Sequence, residues 1–417
     1  IGLLFCISTA NAKLFDGEEF FLDNGLRVIV LPNHKAPIVK HMVWYKVGGV
    51  DDPLGRAGMA HMLEHLMFKG TKKIKDFDKI VTENGGNGNA FTSYDFTAYH
   101  QEVDISKLEL IMFLEADRMR NLVFDDDEFA KERMVVFNER KQVIENNPAS
   151  PFSETFRRNL WQSHPYSRPV IGTADEIMGY KLKDIKKFYK KYYNPSNATV
   201  IISGDIDVAT AKELSKKYYG RIKGGKFSPS ADMPAVQANT EYLLKMRLPN
   251  IQNPRYLRTY VSDSLSYPLM VLSKYLGEGK TSELYKRLVL NKQAVVNIST
   301  NYSYATRSYG YFTISALLKS DTDITPLINR EMDDIVKRMT EKDLQKTKDK
   351  MLSGLVFLKD NPFDAAYIVG ILSNTMSFKD IQDWDRNIKS VTLNDIKKAY
   401  EDLKNSTNQT GILLPEV

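Results

Sequence analysis

The sequence GMAHMLEHLM occupies residues 58–67 and contains two histidines, His61 and His65, with Glu64 between them. In a helix, residues four apart lie on one face, so both imidazoles can reach one metal ion while Glu64 lies beside them. Neutral imidazoles are good zinc ligands, and a neighbouring carboxylate that does not bind the metal can act as a general base toward water. The stretch therefore predicts a helix that carries two of the three protein ligands usual in a catalytic zinc site.

The order His-x-x-Glu-His is the reverse of the common zinc-protease string, in which the glutamate directly follows the first histidine. A third ligand must come from elsewhere in the chain. Four further histidines lie at strand ends or in a loop, and we expect them to be structural: His34, His41, His100 and His164. A carboxylate is the better candidate for the third ligand.

A helical pattern over residues 126–146 offers several carboxylates. Glu139 has valines at i−4, i−3 and i+4, and Glu132 lies two turns earlier on the same apolar stripe. A carboxylate on an apolar face is costly unless a positive charge compensates it. Glu128 shares part of the stripe and Glu145 is less well placed. The alternative, that all of these are solvated charges of an ordinary helix, stays open at this point.

Strand and helix patterns alternate through the first half. Residues 26–31 and 38–47 are rich in Val and Ile and predict strands, and residues 89–103 alternate like two paired strands. Further patterns predict helices over 73–84, 105–121, 126–146 and 181–193 and a strand over 198–203. Because hairpins are mixed with helices, the order favours an α+β fold rather than a parallel sheet.

The pattern of the second half of the sequence repeats that of the first, as in a diverged duplication. Residues 255–262 correspond to the strand near 43–50, residues 267–276 to the helix of His61, and residues 297–315 to the paired strands. The copied helix contains no histidine, so we expect the chemistry in the first half. Gly, Lys, Ser and Pro between the halves predict a linker. We expect a catalytic zinc-binding domain over 13–220, a linker over 221–237 and a homologous domain without the metal motif over 238–417.

Composition restricts the class of protein. A chain of 417 residues, 42% hydrophobic and 26% charged, is typical of a globular protein with two domains. The net charge of +6 is mild and no basic run occurs, which gives little support for nucleic-acid binding. Beyond the first residues, no stretch reaches the roughly 18 apolar residues of a membrane span.

Residues 1–12 form an apolar run that ends in Ala-Asn-Ala, which is typical of a signal-peptidase site. We interpret them as the remnant of a secretory signal; a buried N-terminal strand is the alternative. The single cysteine, Cys6, lies inside this segment. A mature chain that starts near Lys13 would then have no thiol for catalysis or metal binding.

Three segments together resemble the pitrilysin, insulin-degrading enzyme and mitochondrial processing peptidase family of inverzincin zinc peptidases, in the form of a single-unit bacterial member. They are GRAGMAHMLEHLMFKGT at 55–71, GGNGNAFTSYDFTAY at 85–99 and KERMVVFNER at 131–140. The family's third ligand is a glutamate about 75 residues beyond the second histidine, with another glutamate seven residues before it. The resemblance therefore implies Glu139 as ligand, Glu132 as a carboxylate that contacts a ligand from behind, and Glu64 as general base.

The resemblance also implies two similar α+β domains, each a mostly antiparallel sheet packed with helices, which enclose a chamber for short or unfolded peptides. One Zn²⁺ ion per chain would be the cofactor of a metalloendopeptidase. A substrate peptide would pair with an edge strand beside the metal. That strand contains the four residues of the implied substrate-binding set: Asn89, Ala90, Phe91 and Thr92.

One departure from the family pattern concerns the second half. Family peptidases often carry an arginine and a tyrosine seven residues apart that hold the substrate, whereas this chain has Val289 and Val296 there. A homodimer, or a heterodimer with a related chain that supplies these residues, is therefore expected, in the bacterial periplasm. The alternative is an inactive scaffold or a subunit of a paired peptidase or larger complex.

Overall fold

The computed structural model describes residues 14–225, 233–237 and 242–416. The predicted signal remnant at 1–12 and part of the predicted linker lie outside the described residues. Strands alternate with helices as an α+β fold requires, and every strand belongs to one of two sheets. The strands are β1 Glu18–Phe21, β2 Arg27–Pro32, β3 Ile38–Tyr45, β4 Asn87–Thr92, β5 Thr97–Asp104, β6 Ala198–Gly204, β7 Tyr242–Leu248, β8 Arg255–Asp263, β9 Val295–Ser303, β10 Tyr309–Leu318 and β11 Asn408–Pro415.

The α-helices of the first half precede and follow the strands of the first sheet along the chain. They are α1 Met59–Leu66, α2 Phe77–Glu83, α3 Leu108–Asn121, α4 Asp126–Arg140, α5 Ser150–Trp161, α6 Ala174–Gly179, α7 Leu182–Tyr192 and α8 Val208–Tyr219. Those of the second half are α9 Tyr267–Gly277, α10 Thr325–Arg338, α11 Glu341–Asp360, α12 Pro362–Ser373, α13 Phe378–Gln382, α14 Trp384–Ser390 and α15 Leu393–Lys404.

The two sheets have the same strand order. The first is β1-β2-β6-β3-β5-β4 and the second is β7-β11-β8-β10-β9, so that without β1 they match strand for strand. In each, one pair is parallel (β2 with β6, β7 with β11) and the remaining neighbours are antiparallel. The α+β prediction and the predicted internal repeat are confirmed.

The predicted alignment of the two halves was wrong at one strand. The topology equates β8 with β3, which begins at Ile38, whereas the sequence comparison placed residues 255–262 on residues 43–50. The predicted helix over 73–84 also begins later, at Phe77, because the Asp76 side chain accepts a hydrogen bond from the Lys79 amide and caps the helix there. Strands β7 and β11 and the helices after α11 were not singled out by the sequence patterns.

Packing joins the two halves through helix α12, which lies against β3 and β6 of the first sheet. Trp44 of β3 is fully buried in a hydrophobic cluster that also contains Ala366 and Val369 of α12. A Cβ atom on Gly370 would overlap the Trp44 indole, so this close approach requires glycine. The face of the first sheet is therefore completed by the second half.

Two of the other histidines, His41 and His164, make structural contacts, as predicted. His41 is fully buried, and its Nε2 lies 2.9 Å from the Tyr219 hydroxyl. Nδ1 of His164 accepts a hydrogen bond from the Tyr166 amide, and its Nε2 lies 3.0 Å from Oγ of Ser308 in the second half. Burial lowers the pKa of each of these two imidazoles to about 4, so both are neutral near pH 7.

The buried His41 predicts a loss of stability in mild acid. Its pKa is about 4 in the folded chain and about 6.5 in the unfolded chain, so the unfolded chain binds more protons between these values. The free energy of unfolding should therefore fall as the pH drops from 6.5 to 4, by up to about 1.4 kcal/mol per pH unit for this group. Denaturant unfolding across this range should show a shallower pH slope for His41→Asn than for the parent chain. His34→Asn, at an exposed site, serves as the control; equal slopes for His41→Asn and the parent would contradict the prediction.

Candidate metal centre

Helix α1 is short, and its N-terminus is fixed by a buried carboxylate. Both oxygens of Asp52 accept backbone hydrogen bonds, Oδ2 from Gly58 at 2.6 Å and Oδ1 from Ala60 at 2.9 Å. Carboxyl oxygens in this position satisfy N–H groups that the helix leaves unpaired. Gly58 has φ +95, and a Cβ there would collide with the Ile171 carbonyl oxygen. The direction of α1 is thus fixed by Asp52 and Gly58, which are not metal ligands.

Asp52 was missed by the sequence reasoning. It lies six residues before Gly58, too far along the chain to be recognised as an ordinary N-cap residue. Burial raises the pKa of Asp52 to about 8, and the two backbone hydrogen bonds oppose this shift. The aspartate followed by Pro53-Leu-Gly55 was the only signal, that of a turn.

Three donor atoms converge between α1 and α4. Nε2 of His65 lies 3.2 Å from Oε2 of Glu139, and Nε2 of His61 lies 3.8 Å from the same oxygen. The three ligand atoms lie within 4.8 Å of one another, and within the described part of the chain no other group of three or more His, Cys, Asp or Glu side chains converges in this way. The structure therefore brings together the three predicted ligands.

The donors fit a zinc ion. Two imidazole nitrogens and one carboxylate oxygen form a set that catalytic zinc sites use, with a further position left for water. Oε2 of Glu139 is buried and has no hydrogen-bond donor, as expected of an atom whose partner is a cation. Burial, and then the neighbouring His65, lower the pKa of His61 to about 4, so its imidazole is neutral and able to bind a metal.

His65 is held from behind by Glu132. Nδ1 of His65 lies 2.9 Å from Oε1 of Glu132, and Lys69 forms an ion pair with the other oxygen. Although burial opposes ionisation, the hydrogen bonds from His65 and Lys69 keep the pKa of Glu132 below its usual value. A carboxylate behind a ligand imidazole fixes the orientation of the ring. Lys69 follows the motif by one helical turn and was not identified from the sequence.

The apolar stripe of α4 does not lie where the sequence pattern suggested. Val136 is buried, but Val135 is 49% and Val143 55% exposed. These two valines are at i−4 and i+4 from Glu139, so two of the three stripe valines lie on the surface and only Val136 enters the core. Glu128 is part of a capping box with Asp125 at the start of α4, and Glu145 lies near Arg140. Neither carboxylate is close to the histidines.

Glu64 is buried beside the donor atoms but is not one of them. The hydroxyl of Thr92 donates a hydrogen bond to Oε2 of Glu64. Burial raises the pKa of Glu64 to about 6, although the hydrogen bond from Thr92 and the charge of His65 act in the opposite direction. Thr92, predicted as a substrate-binding residue, directs its side chain to Glu64.

The predicted substrate-binding residues lie on β4, at one edge of the first sheet. Among the described strands β4 pairs only with β5, in an antiparallel register that places Asn89 opposite His100. One backbone edge is therefore open, and α1 packs against the same strand. The side chain of Phe91 contacts Trp44 of its own half and Tyr367 of the second half, with ring centroids 5.4 Å apart in each pair.

The second half does not place an arginine at the predicted substrate position. Val296 is exposed and Val289 packs against the core of its own half. Arg287, the nearest candidate, donates to Asp334 at 2.6 Å and to Glu331 at 3.3 Å. Its guanidinium is thus held by carboxylates of α10.

None of the helices in the described part of the chain is both long enough and apolar enough to cross a membrane.

Comparison with known proteins follows the same division into halves. The family model described as insulinase (peptidase family M16) matches residues 27–174, and the model described as peptidase M16 inactive domain matches residues 180–351. Zinc protease PqqE of Helicobacter pylori is 30% identical over 422 residues, which cover 97% of this chain and 94% of that protein.

Solved structures of peptidases have the same fold as this chain. The crystal structure of a protease from Helicobacter pylori matches with a TM-score of 0.86 at 28% identity and covers 96% of this chain and 100% of its own. The periplasmic protease PqqL from Escherichia coli shares the fold, with a TM-score of 0.81 at 18% identity, and this chain spans 48% of its length. With both halves matched and the three donor atoms in place, the chain belongs to the insulinase family, peptidase family M16.

Proposed function

We propose that this chain is a zinc-dependent endopeptidase that hydrolyses short or unfolded peptides. The observation that carries the proposal is the convergence of His61, His65 and Glu139 beside a buried carboxylate, Glu64, and an open strand edge. These are the parts that metal-assisted amide hydrolysis needs: a Lewis acid site, a base within reach of water, and a means to hold an extended substrate. The names of its relatives as zinc proteases support the same reaction.

In the proposed mechanism the substrate lies extended along β4. Its backbone pairs with the open edge at Asn89, Ala90 and Phe91, which gives affinity with little dependence on sequence. A zinc ion bound by the three donors would polarise the scissile carbonyl and make water more acidic. Glu64 takes the proton from the attacking water and passes it to the leaving amine. Thr92 holds the Glu64 carboxylate in the orientation for both transfers.

Backbone pairing restricts the substrate class. A folded protein offers few free strand edges, whereas an unfolded segment can present one anywhere along its length. We therefore propose short or unfolded peptides as substrates. Removal of presequences at defined sites and general degradation both fit this chemistry, and a mixed peptide library analysed by mass spectrometry would separate them.

Replacement of the proposed base tests the mechanism. Glu64→Gln keeps the size and the hydrogen-bond acceptor for Thr92 but cannot accept a proton. We expect peptide hydrolysis to fall by about 10²–10⁴-fold while bound zinc, measured by elemental analysis, stays at one ion per chain. Glu83→Gln, an exposed site at the end of α2, is the control. Unchanged turnover in Glu64→Gln would remove this residue from the mechanism.

A second test concerns the ligands on α4. Glu139→Gln should raise the zinc dissociation constant by more than about 100-fold, whereas Glu132→Gln, which acts only through His65, should raise it by about 10–100-fold. Asp127→Asn on the same helix removes only an exposed pairing with Lys131 and should change nothing. Competition with a chromogenic chelator gives the constants. Wild-type zinc affinity in Glu139→Gln would exclude this glutamate as a ligand.

We also propose that the active form contains a second chain, either another copy or a related chain. Val289 and Val296 leave the substrate position of the second half without the family's arginine and tyrosine, and Arg287 is engaged by Asp334. This chain spans 48% of the length of PqqL, which is consistent with an active peptidase that contains two such units. An inactive scaffold is the alternative, favoured only by the same two valines.

Export to the periplasm is proposed from residues 1–12.

Pairing is tested by size-exclusion chromatography with light scattering, followed by activity measurements on each fraction. We expect peptidase activity in a dimer, or only after a related chain is added, because Val289 and Val296 replace the family's arginine and tyrosine in this chain. Full activity in a monomeric fraction would contradict the pairing. Stoichiometric zinc without hydrolysis in any fraction or mixture would favour the scaffold.

A further inference from the structure

An arginine of the second half enters the first half next to the metal helix. Arg307 lies between β9 and β10, and its guanidinium reaches Asp51 with two nitrogens, Nη1 to Oδ2 at 2.7 Å and Nη2 to Oδ1 at 3.2 Å. Nη1 also donates to the carbonyl oxygen of Asp95 at 3.3 Å. The Asp51 side chain is fully buried and that of Arg307 is 12% exposed. This is a bidentate, nearly dry ion pair between the halves, unlike the exposed pairs of the surface.

Asp51 belongs to the turn that precedes the metal helix. It ends a short 3₁₀ segment, Gly49–Asp51, and its Oδ2 accepts a hydrogen bond from the Gly48 amide at 3.0 Å. The next residue is Asp52, whose carboxylate holds the first amides of α1. Adjacent aspartates thus face opposite ways, one toward the second half and the other toward the helix that carries His61 and His65.

The same turn is joined to the proposed substrate strand. The Gly49 amide donates to the Ser93 carbonyl at 3.0 Å and the Val50 amide to the Tyr94 carbonyl at 2.9 Å, directly after β4 ends. Asp95, whose carbonyl Arg307 also contacts, follows in the same segment. The guanidinium therefore contacts two segments: Asp51, in the turn before α1, and Asp95, which follows β4.

We propose that Arg307 is a positioning residue for the metal centre: it fixes the turn at residues 48–52, and through Asp52 the turn fixes the N-terminus of α1. The second half, which carries no metal ligand, thereby helps to set the geometry of the ligands in the first. Two properties make the contact suitable for this role. The fork of a guanidinium fixes distance and angle together, and removal of either partner leaves the other charge buried and uncompensated.

The alternative is that the ion pair only adds stability to the interface between the halves. In that case its loss would loosen the contact between the halves and lower the melting temperature, but it would not act selectively on α1. The two views differ in where the backbone becomes more mobile and in whether zinc affinity changes. The zinc measurement rests on the proposed function, whereas the measurement of backbone mobility does not.

The test uses hydrogen–deuterium exchange of the full chain, with zinc affinity measured in parallel. In Arg307→Gln we expect amides 58–62 to exchange about tenfold faster or more and the zinc dissociation constant to rise about 10–100-fold, the range for residues that act through a ligand's support. The exchange of α10 in the second half should stay unchanged. Arg307→Lys should recover part of both effects. Arg247→Gln, which removes an exposed pair with Asp321, should show neither effect.

Arg307→Gln leaves the Asp51 charge buried without its partner, which could prevent folding. The double variant Asp51→Asn/Arg307→Gln removes both charges and should show the same selective exchange in α1 with less loss of stability. Parental exchange at 58–62 in the double variant, or an increase spread evenly over the chain, would overturn the proposal. If zinc binds and α1 responds but no peptide is cleaved, the proposed function fails while the role of Arg307 stands.

Discussion

The structure depends on one constraint: the eight-residue helix α1 must hold two imidazoles in a fixed direction toward a carboxylate on another helix. A helix of two turns has little stability of its own, because most of its end groups lack intrahelical partners. Asp52 satisfies two of its first amides, and burial of Met62, Leu63 and Leu66 fixes its inner face. The ligand atoms are thus held before a metal arrives, which lowers the ordering cost of binding.

Electrostatics near the centre follow from this arrangement. A buried imidazole pair favours neutral His61, while Glu132 and Lys69 form a hydrogen-bonded support behind His65. Glu64 shares the apolar surroundings but keeps one polar partner, Thr92, on the substrate strand. A single side chain of β4 therefore connects the place where a peptide would lie with the proposed base. The second half carries no such group of donors in its described residues, and we propose that it acts on the centre through Arg307.

The local features could be predicted from the sequence, since each is coded within a few residues. The helix around His61 and the paired strands after Asn89 follow from short patterns, whereas the family resemblance supplied the edge position of that strand and ranked Glu139 above its neighbours. The apolar face inferred from the valine stripe was wrong for two of its three members, since Val135 and Val143 are exposed and only Val136 is buried. Periodicity shows that a helix face is apolar; it does not show whether that face meets the core or an open cleft. Asp52, Lys69 and Arg307 act through contacts with residues that only the fold brings near, so no local pattern marks them.

The central claim is that His61, His65 and Glu139 form a catalytic zinc site with an open position. Zinc K-edge X-ray absorption of the zinc-loaded chain tests this most directly. We expect a four-coordinate ion with two imidazole nitrogens at about 2.0–2.1 Å and the remaining positions filled by oxygen at about 2.0–2.2 Å. A shell of six oxygens without imidazole scattering, or a closed site with three or more imidazoles, would contradict the account.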